Sequence, residues 1–277
     1  MRVLYKKVKL NFWAELVDLL DEKIVKLEGI EKKYGENFVS FFHEFIDKRN
    51  VKDLIESFGV PHTEVDVILI DGRPVRFSYI IEDKNMVEIF PKLSENFWQK
   101  YSSDKELKLI HLKPKLPLHK KFVCDVHLGK LVKKLRMLGL DVYYKNDLSD
   151  EQIINVSKSE KRIILTRDLG LLKRSDVKNG YFVRNVEVNE QVKEVLHKFH
   201  LSSEIKFFTR CLECGDKIKK VSKNFVKDKI NLRTFRYFDE FYYCSNCEKV
   251  FWCGSHYRAM KNFLNNTIGD FKHYFKV

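Results

Sequence analysis

Arg162-Ile163-Ile164-Leu165-Thr166-Arg167-Asp168 decides the fold class. A short apolar run ends there in an acid, and a helical pattern begins at once. That reads as a buried strand whose carboxyl end feeds a helix. Working outward, Phe122-Val123-Cys124-Asp125 has the same form. Between them lie an apolar run at 142–145 and a helical start at Ser149-Asp150-Glu151, and a further apolar run follows at 181–184. Helical patterns fill the gaps at about 128–138, 150–159, 169–174 and 190–200. Strict alternation of strand and helix predicts a parallel sheet in an α/β domain. Such a sheet gathers the carboxyl ends of its strands along one edge. Asp125, Asp150 and Asp168 are therefore expected to converge there.

Each acid has a plainer reading as well. Asp125, Asp150 and Asp168 all stand at helix starts, where a carboxylate caps free backbone N–H groups. The case for a site is the coincidence of three acids at one edge in a basic region. Clustered carboxylates repel unless a cation neutralises them. Magnesium or manganese, held through oxygen ligands, suits that role and would support phosphodiester hydrolysis.

The charge supports a polyanionic partner. The chain has 277 residues and a net charge of +13. Residues 1–117 hold 20 basic and 20 acidic residues, so 118–277 hold the other 32 basic and 19 acidic ones. A field confined to one part favours RNA or DNA over a neutral metabolite. On the helix at 128–138, Leu128, Leu131, Leu135 and Leu138 form a core stripe. Lys130, Lys133, Lys134 and Arg136 occupy its other faces, as a solvated surface or a phosphate track. Arg167 is read either as a phosphate contact or as a surface arginine.

Cys211-x-x-Cys214 and Cys244-x-x-Cys247 are the most specific spacing in the chain. Two such knuckles supply four thiolates for a tetrahedral structural zinc, as in zinc ribbons. A closed set of four leaves no open position for catalysis. The intervening residues leave room for a β-hairpin. Cys253 is left for packing or RNA contact, and Cys124 reads as a small buried hydrophobe.

Before this region, 9–16 reads as a strand, 51–59 as a short helix, 65–79 as a hairpin turning at Asp71-Gly72, and 87–91 as a closing strand. Residues 17–50 look like a charged helical insertion. The expected organisation is a mixed α/β domain at 1–91, a linker at 92–119, an α/β domain at 120–206, a ribbon at 207–260 and a basic tail at 261–277. No apolar run approaches the roughly 20 residues of a membrane span, nor does Met1–Lys7 read as a signal peptide. A cytoplasmic setting is expected, and no oligomeric state is indicated.

Several motifs occur in order: Phe122-Val123-Cys124-Asp125, Leu128-Gly129-Lys130-Leu131, Leu135-Arg136, Leu138-Gly139-Leu140-Asp141, Leu165-Thr166-Arg167-Asp168, Thr209-Arg210-Cys211 and Trp252-Cys253-Gly254-Ser255-His256-Tyr257. Together they resemble the Mut-seven C-terminal RNase family, a branch of the PIN-domain nucleases with an appended zinc ribbon. The resemblance implies a metal-dependent ribonuclease with Asp125, Asp150 and Asp168 at the metal positions. It also implies RNA contacts by basic residues, among them Arg210. PIN domains often have a fourth acid, and Asn185 stands in that neighbourhood. Val51–Glu56 and Gly59–Val65 resemble the ubiquitin-like β-grasp domain that precedes this nuclease. The strand at 87–91 has no Gly-Gly ending, so an interaction module with a protein partner is implied rather than a sulfur carrier. The alternative is a non-catalytic RNA- or ribosome-binding adaptor with a degenerate nuclease domain.

Overall fold

The computed structural model describes residues 5–102 and 107–268, without the side chains of His256, Met260 and 264–268. Most of the expected basic tail lies outside the described residues. The chain divides into two compact units. One holds the residues up to Lys115 together with Asp168–Phe182. The other holds Leu116–Arg167 and the chain from Val183 onward.

In the first unit, β1 (Lys6–Trp13) organises the sheet. Its amino-terminal half alternates exposed lysines with buried Val8 and Leu10, and the stretch Leu10–Trp13 is buried throughout. A strand covered on both faces reads as a continuous apolar run. Asn11 is the polar exception, and its Oδ1 accepts from Ser40 Oγ at 2.8 Å.

The sequence at 17–50 was expected to be helical, and the structure corrects this. α1 (Glu22–Glu28) is followed by β2 (Glu31–Lys33) and β3 (Glu36–Phe45). β3 pairs antiparallel along the whole of β1. Phe38, Val39, Phe41 and Phe45 are β-branched or aromatic and favour a pleated, half-buried surface. Tyr34 and Gly35, both with positive φ, form the tight turn that joins the two strands.

α2 (Val51–Ser57) is capped by Asn50, whose Oδ1 accepts from Asp53 N at 2.8 Å, and it buries Val51, Leu54 and Ile55. β4 (Val67–Ile70) turns at Asp71-Gly72 into β5 (Arg73–Pro74), as the sequence predicts. β6 (Met86–Phe90) lies between β1, to which it is parallel, and β4, to which it is antiparallel. The sheet order is β2-β3-β1-β6-β4-β5, a mixed β-grasp sheet. Within the stretch expected as a linker, Ser94 caps α3 (Glu95–Tyr101). Phe97 of α3 lies edge-on to Trp13, with ring centroids 5.7 Å apart.

The second unit opens with β7 (Lys121–Cys124), α4 (Gly129–Met137), β8 (Asp141–Tyr143), α5 (Asp150–Glu160) and β9 (Ile163–Thr166). β7 is parallel to both β8 and β9, so the carboxyl ends of all three share one edge. The α4 stripe is buried as expected. Ser149 and Gln152 form a reciprocal capping box at the start of α5. The chain then enters α6 (Leu169–Lys173) and β10 (Gly180–Phe182), which belong to the first unit, and returns at α7 (Val188–Lys198).

The cysteine region is a three-stranded antiparallel sheet, in the order β11 (Lys219–Val221), β12 (Phe241–Tyr243) and β13 (Val250–Trp252). Besides β11, α8 (Leu232–Tyr237) also lies between the two cysteine pairs. α9 (Ser255–Ile268) follows.

Candidate nuclease and metal centres

The cysteine knuckles come together. Cys211 and Cys247 have their Sγ atoms 3.4 Å apart, as do Cys214 and Cys244, and all four lie within 4.8 Å of one another. Gly215, at φ +83°, lets the first knuckle turn, and its N–H donates to Cys211 O at 3.0 Å. Four soft donors at this spacing suit a tetrahedral zinc-like ion. Among the described residues this is the one group of three or more Cys, His, Asp or Glu side chains so close together. Cys253 is not part of it. Burial pushes the Cys124 thiol up, as expected for an inert core residue.

Arg136 holds the first knuckle to the sheet. The sequence offered Arg136, with the lysines of α4, as a possible phosphate track, but this side chain is 1% exposed. Nη1 donates to Leu212 O at 3.3 Å and Glu213 O at 2.5 Å, and Nε donates to Val142 O at 3.1 Å. A β-carbon on Gly215 would stand 2.9 Å from Nε, so glycine makes room for the guanidinium. Arg210 is engaged similarly. It donates to Asp141 Oδ2 at 2.9 Å and to Gly215 O at 2.9 Å. Burial opposes ionisation of Asp141, yet the hydrogen bond from Arg162 and the charges of Arg162 and Arg210 hold its carboxyl below the usual range.

Asp125 is 4% exposed at the end of β7. Its Oδ1 accepts from His127 N at 2.6 Å. Its Oδ2 accepts from the Thr166 hydroxyl and from Arg167 N at 3.2 Å. Asp125 therefore ties the ends of β7 and β9. Three protein donors thus meet this carboxylate. Asp150 is exposed in the first turn of α5. Asp168 Oδ1 caps α6, accepting from Gly170 N at 2.7 Å and Leu171 N at 3.4 Å. The helix-cap reading thus holds for Asp125 and Asp168. The unit boundary falls between Arg167 and Asp168.

The Arg167 guanidinium donates to the carbonyls of Val183, Arg184 and Asn185 at 2.7–2.8 Å. Lys130 and Lys133 are exposed, and Lys133 lies 3.5 Å from Glu213. Lys134 reaches Asn189 Oδ1 at 2.6 Å. A cleft of about 490 Å³ is lined by Lys133, Arg136, Tyr144, Lys145, Glu213 and Asn246. Tyr144, which the sequence reading passed over, donates its hydroxyl to Val126 O at 3.0 Å, beside the Asp125 turn. Glu194 was also missed. It accepts from Asn185 Nδ2 at 2.8 Å and from Arg184 N at 2.8 Å. Its place nearly two turns along α7, facing the Asn185 loop, was the available signal.

Residues 120–264 match the Mut7-C RNAse domain, just over half of the chain. The chain belongs to the Mut7-C RNAse domain family. Residues 5–96 match the Mut7-C ubiquitin domain. No curated protein and no solved structure is similar enough to match. No helix among the described residues is long and apolar enough to cross a membrane.

Part of the Mut7-C RNAse match folds with the first unit, where the Mut7-C ubiquitin domain lies. Leu169 and Phe182 pack against the apolar core of that unit. Lys173 Nζ donates to Glu56 O at 2.8 Å, and Phe182 N donates to Glu64 Oε1 at 2.7 Å. Glu64 is fully buried. His62 has Nδ1 2.6 Å from Glu56 Oε1 and Nε2 2.9 Å from Val177 O.

Proposed function

We propose that this chain is a metal-dependent ribonuclease that hydrolyses RNA phosphodiester bonds, with Asp125, Asp150 and Asp168 as its acidic positions. The observation that carries the reading is the parallel sheet of a Mut7-C RNAse domain with Asp125 at the end of β7 and Thr166-Arg167-Asp168 at the end of β9. The three carboxylates would hold magnesium or manganese, which supplies a more acidic bound water and offsets charge developing on the phosphate. Thr166 and the Arg167 N–H orient Asp125. Lys130, Lys133 and Lys134 hold the RNA backbone. Zinc at Cys211, Cys214, Cys244 and Cys247 is structural. The catalytic domain spans 120–206 and the ribbon 207–260. The ubiquitin-like domain docks a protein partner, and the setting is cytoplasmic.

Cleavage of a single-stranded RNA oligonucleotide, with and without magnesium or manganese, tests this. Asp125→Asn and Asp168→Asn should abolish divalent-dependent cleavage. Unchanged cleavage and unchanged metal binding in both variants would sink the proposal.

A second reading is favoured by the protein donors already bound to Asp125 and by the capping role of Asp168. It is a non-catalytic RNA- or ribosome-binding adaptor. It expects RNA binding with no cleavage under any divalent ion.

A further inference from the structure

The stretch Lys217–Tyr237 between the two cysteine pairs holds eight basic residues, Lys217, Lys219, Lys220, Lys223, Lys227, Lys229, Arg233 and Arg236, against one acid, Asp228. Two of these charges are answered locally. Lys220 pairs with Glu240, and Lys223 with Asp239 at 2.8 Å. Among the described residues, no ion-pair partner is found for Lys227, Arg233 or Arg236, and all three are exposed. Such an excess repels itself. Its use is to be sought outside the chain.

Exposed rings are interleaved with the charges. Tyr237 is 75% exposed and Phe225 46% exposed. Arg233, Arg236 and Tyr237 are three and four positions apart on α8, so they share one face of the helix. Thr234, on another face, is buried. Lys229 Nζ lies 5.5 Å from the centre of the Phe225 ring and 5.6 Å from that of Tyr243. By contrast, Tyr242 is half-buried, and its ring meets Phe208 at 5.0 Å. The rings that face solvent are those of the insert, not those of the ribbon sheet.

We propose that this insert, centred on Arg233, Arg236 and Tyr237 of α8, is a docking surface for single-stranded RNA. Arginines and lysines that lack partners meet phosphates, while an exposed tyrosine offers a stacking platform. Stacking requires unpaired bases, which a duplex withholds. The surface uses none of the three acids. It rests on the ribonuclease reading only for the choice of RNA as the polymer.

The test uses the full-length, zinc-loaded chain and a labelled single-stranded RNA oligonucleotide. Affinity is followed by fluorescence anisotropy over a salt series without magnesium or manganese. Binding is thus measured apart from cleavage, so failure of the nuclease reading leaves this result intact. Arg233→Ala with Arg236→Ala should lower the slope of log affinity against log salt by about 1.4, at about 0.7 per lost phosphate contact. Tyr237→Ala should weaken binding by roughly 5- to 100-fold with little change in slope. Circular dichroism and zinc content establish that each variant is folded. Wild-type affinity and slope in both folded variants would overturn the proposal. So would tighter binding to phosphatidylserine vesicles or duplex RNA than to the single strand.

Discussion

The Nε2 atom of His62 lies 2.9 Å from the carbonyl oxygen of Val177, across 115 positions of chain. The other ring nitrogen faces Glu56 Oε1 at 2.6 Å. His62 therefore joins α2 to the stretch between α6 and β10. His62→Ala should destabilise the first unit by about 1–3 kcal/mol. Hydrogen exchange is the sharper measurement: amides of 174–182 should lose protection before those of β1. Equal loss in both places would refute a local tie.

Arg136→Met should cost about 2–4 kcal/mol, because the carbonyls of Val142, Leu212 and Glu213 lose a charged donor. Urea unfolding reads the loss. Transfer of zinc to a chromophoric chelator should also quicken, since Arg136 braces the first knuckle. Arg136→Met with wild-type stability and transfer rate would remove that role.

Gly139 allows no side chain. Its φ is +84°, and a β-carbon would lie 2.1 Å from Lys206 O. Gly139→Ala should lose at least about 2 kcal/mol, through left-handed strain and a displaced backbone. A thermal melt like that of wild type would contradict the geometry.

Asp141 gives a pH signature. Its folded carboxyl sits below the usual range, so the stability it adds is present above an unfolded pKa of about 3.9. That stability is lost as pH falls through the lower folded value. The gap in urea midpoint between wild type and Asp141→Asn should be level near neutrality and shrink in the acid range. A gap that grows on acidification has the wrong sign.

Thr166→Val removes one donor from Asp125 Oδ2 while keeping shape. Under the ribonuclease proposal it should slow divalent-dependent cleavage more than it weakens RNA binding. Equal losses in kcat and in affinity would argue that Thr166 serves folding alone.

Much of this architecture was legible in the sequence. Apolar runs closed by acids gave β7 and β9, and the leucine stripe gave α4. The paired C-x-x-C spacing gave the thiolate cluster. β3 escaped because Phe42 faces outward, 63% exposed, and blurs the alternation of a half-buried strand. Arg136 was hidden among lysines, although Val132, four residues earlier on the same face, is buried and marks that face as interior. Nothing local to 168–182 signals its partner. Leu169 and Phe182 read as ordinary apolar residues of an α/β repeat, and only tertiary packing assigns them to the first core.

That assignment bears on how the protein is made. Residues up to Lys115 leave the ribosome well before Asp168–Phe182, the segment that completes their unit. At common elongation rates the interval is roughly 3–13 s. During it, the surface awaiting Leu169 and Phe182 is uncovered. The nascent first unit must therefore wait, open to chaperones, for a segment encoded within the Mut7-C RNAse domain.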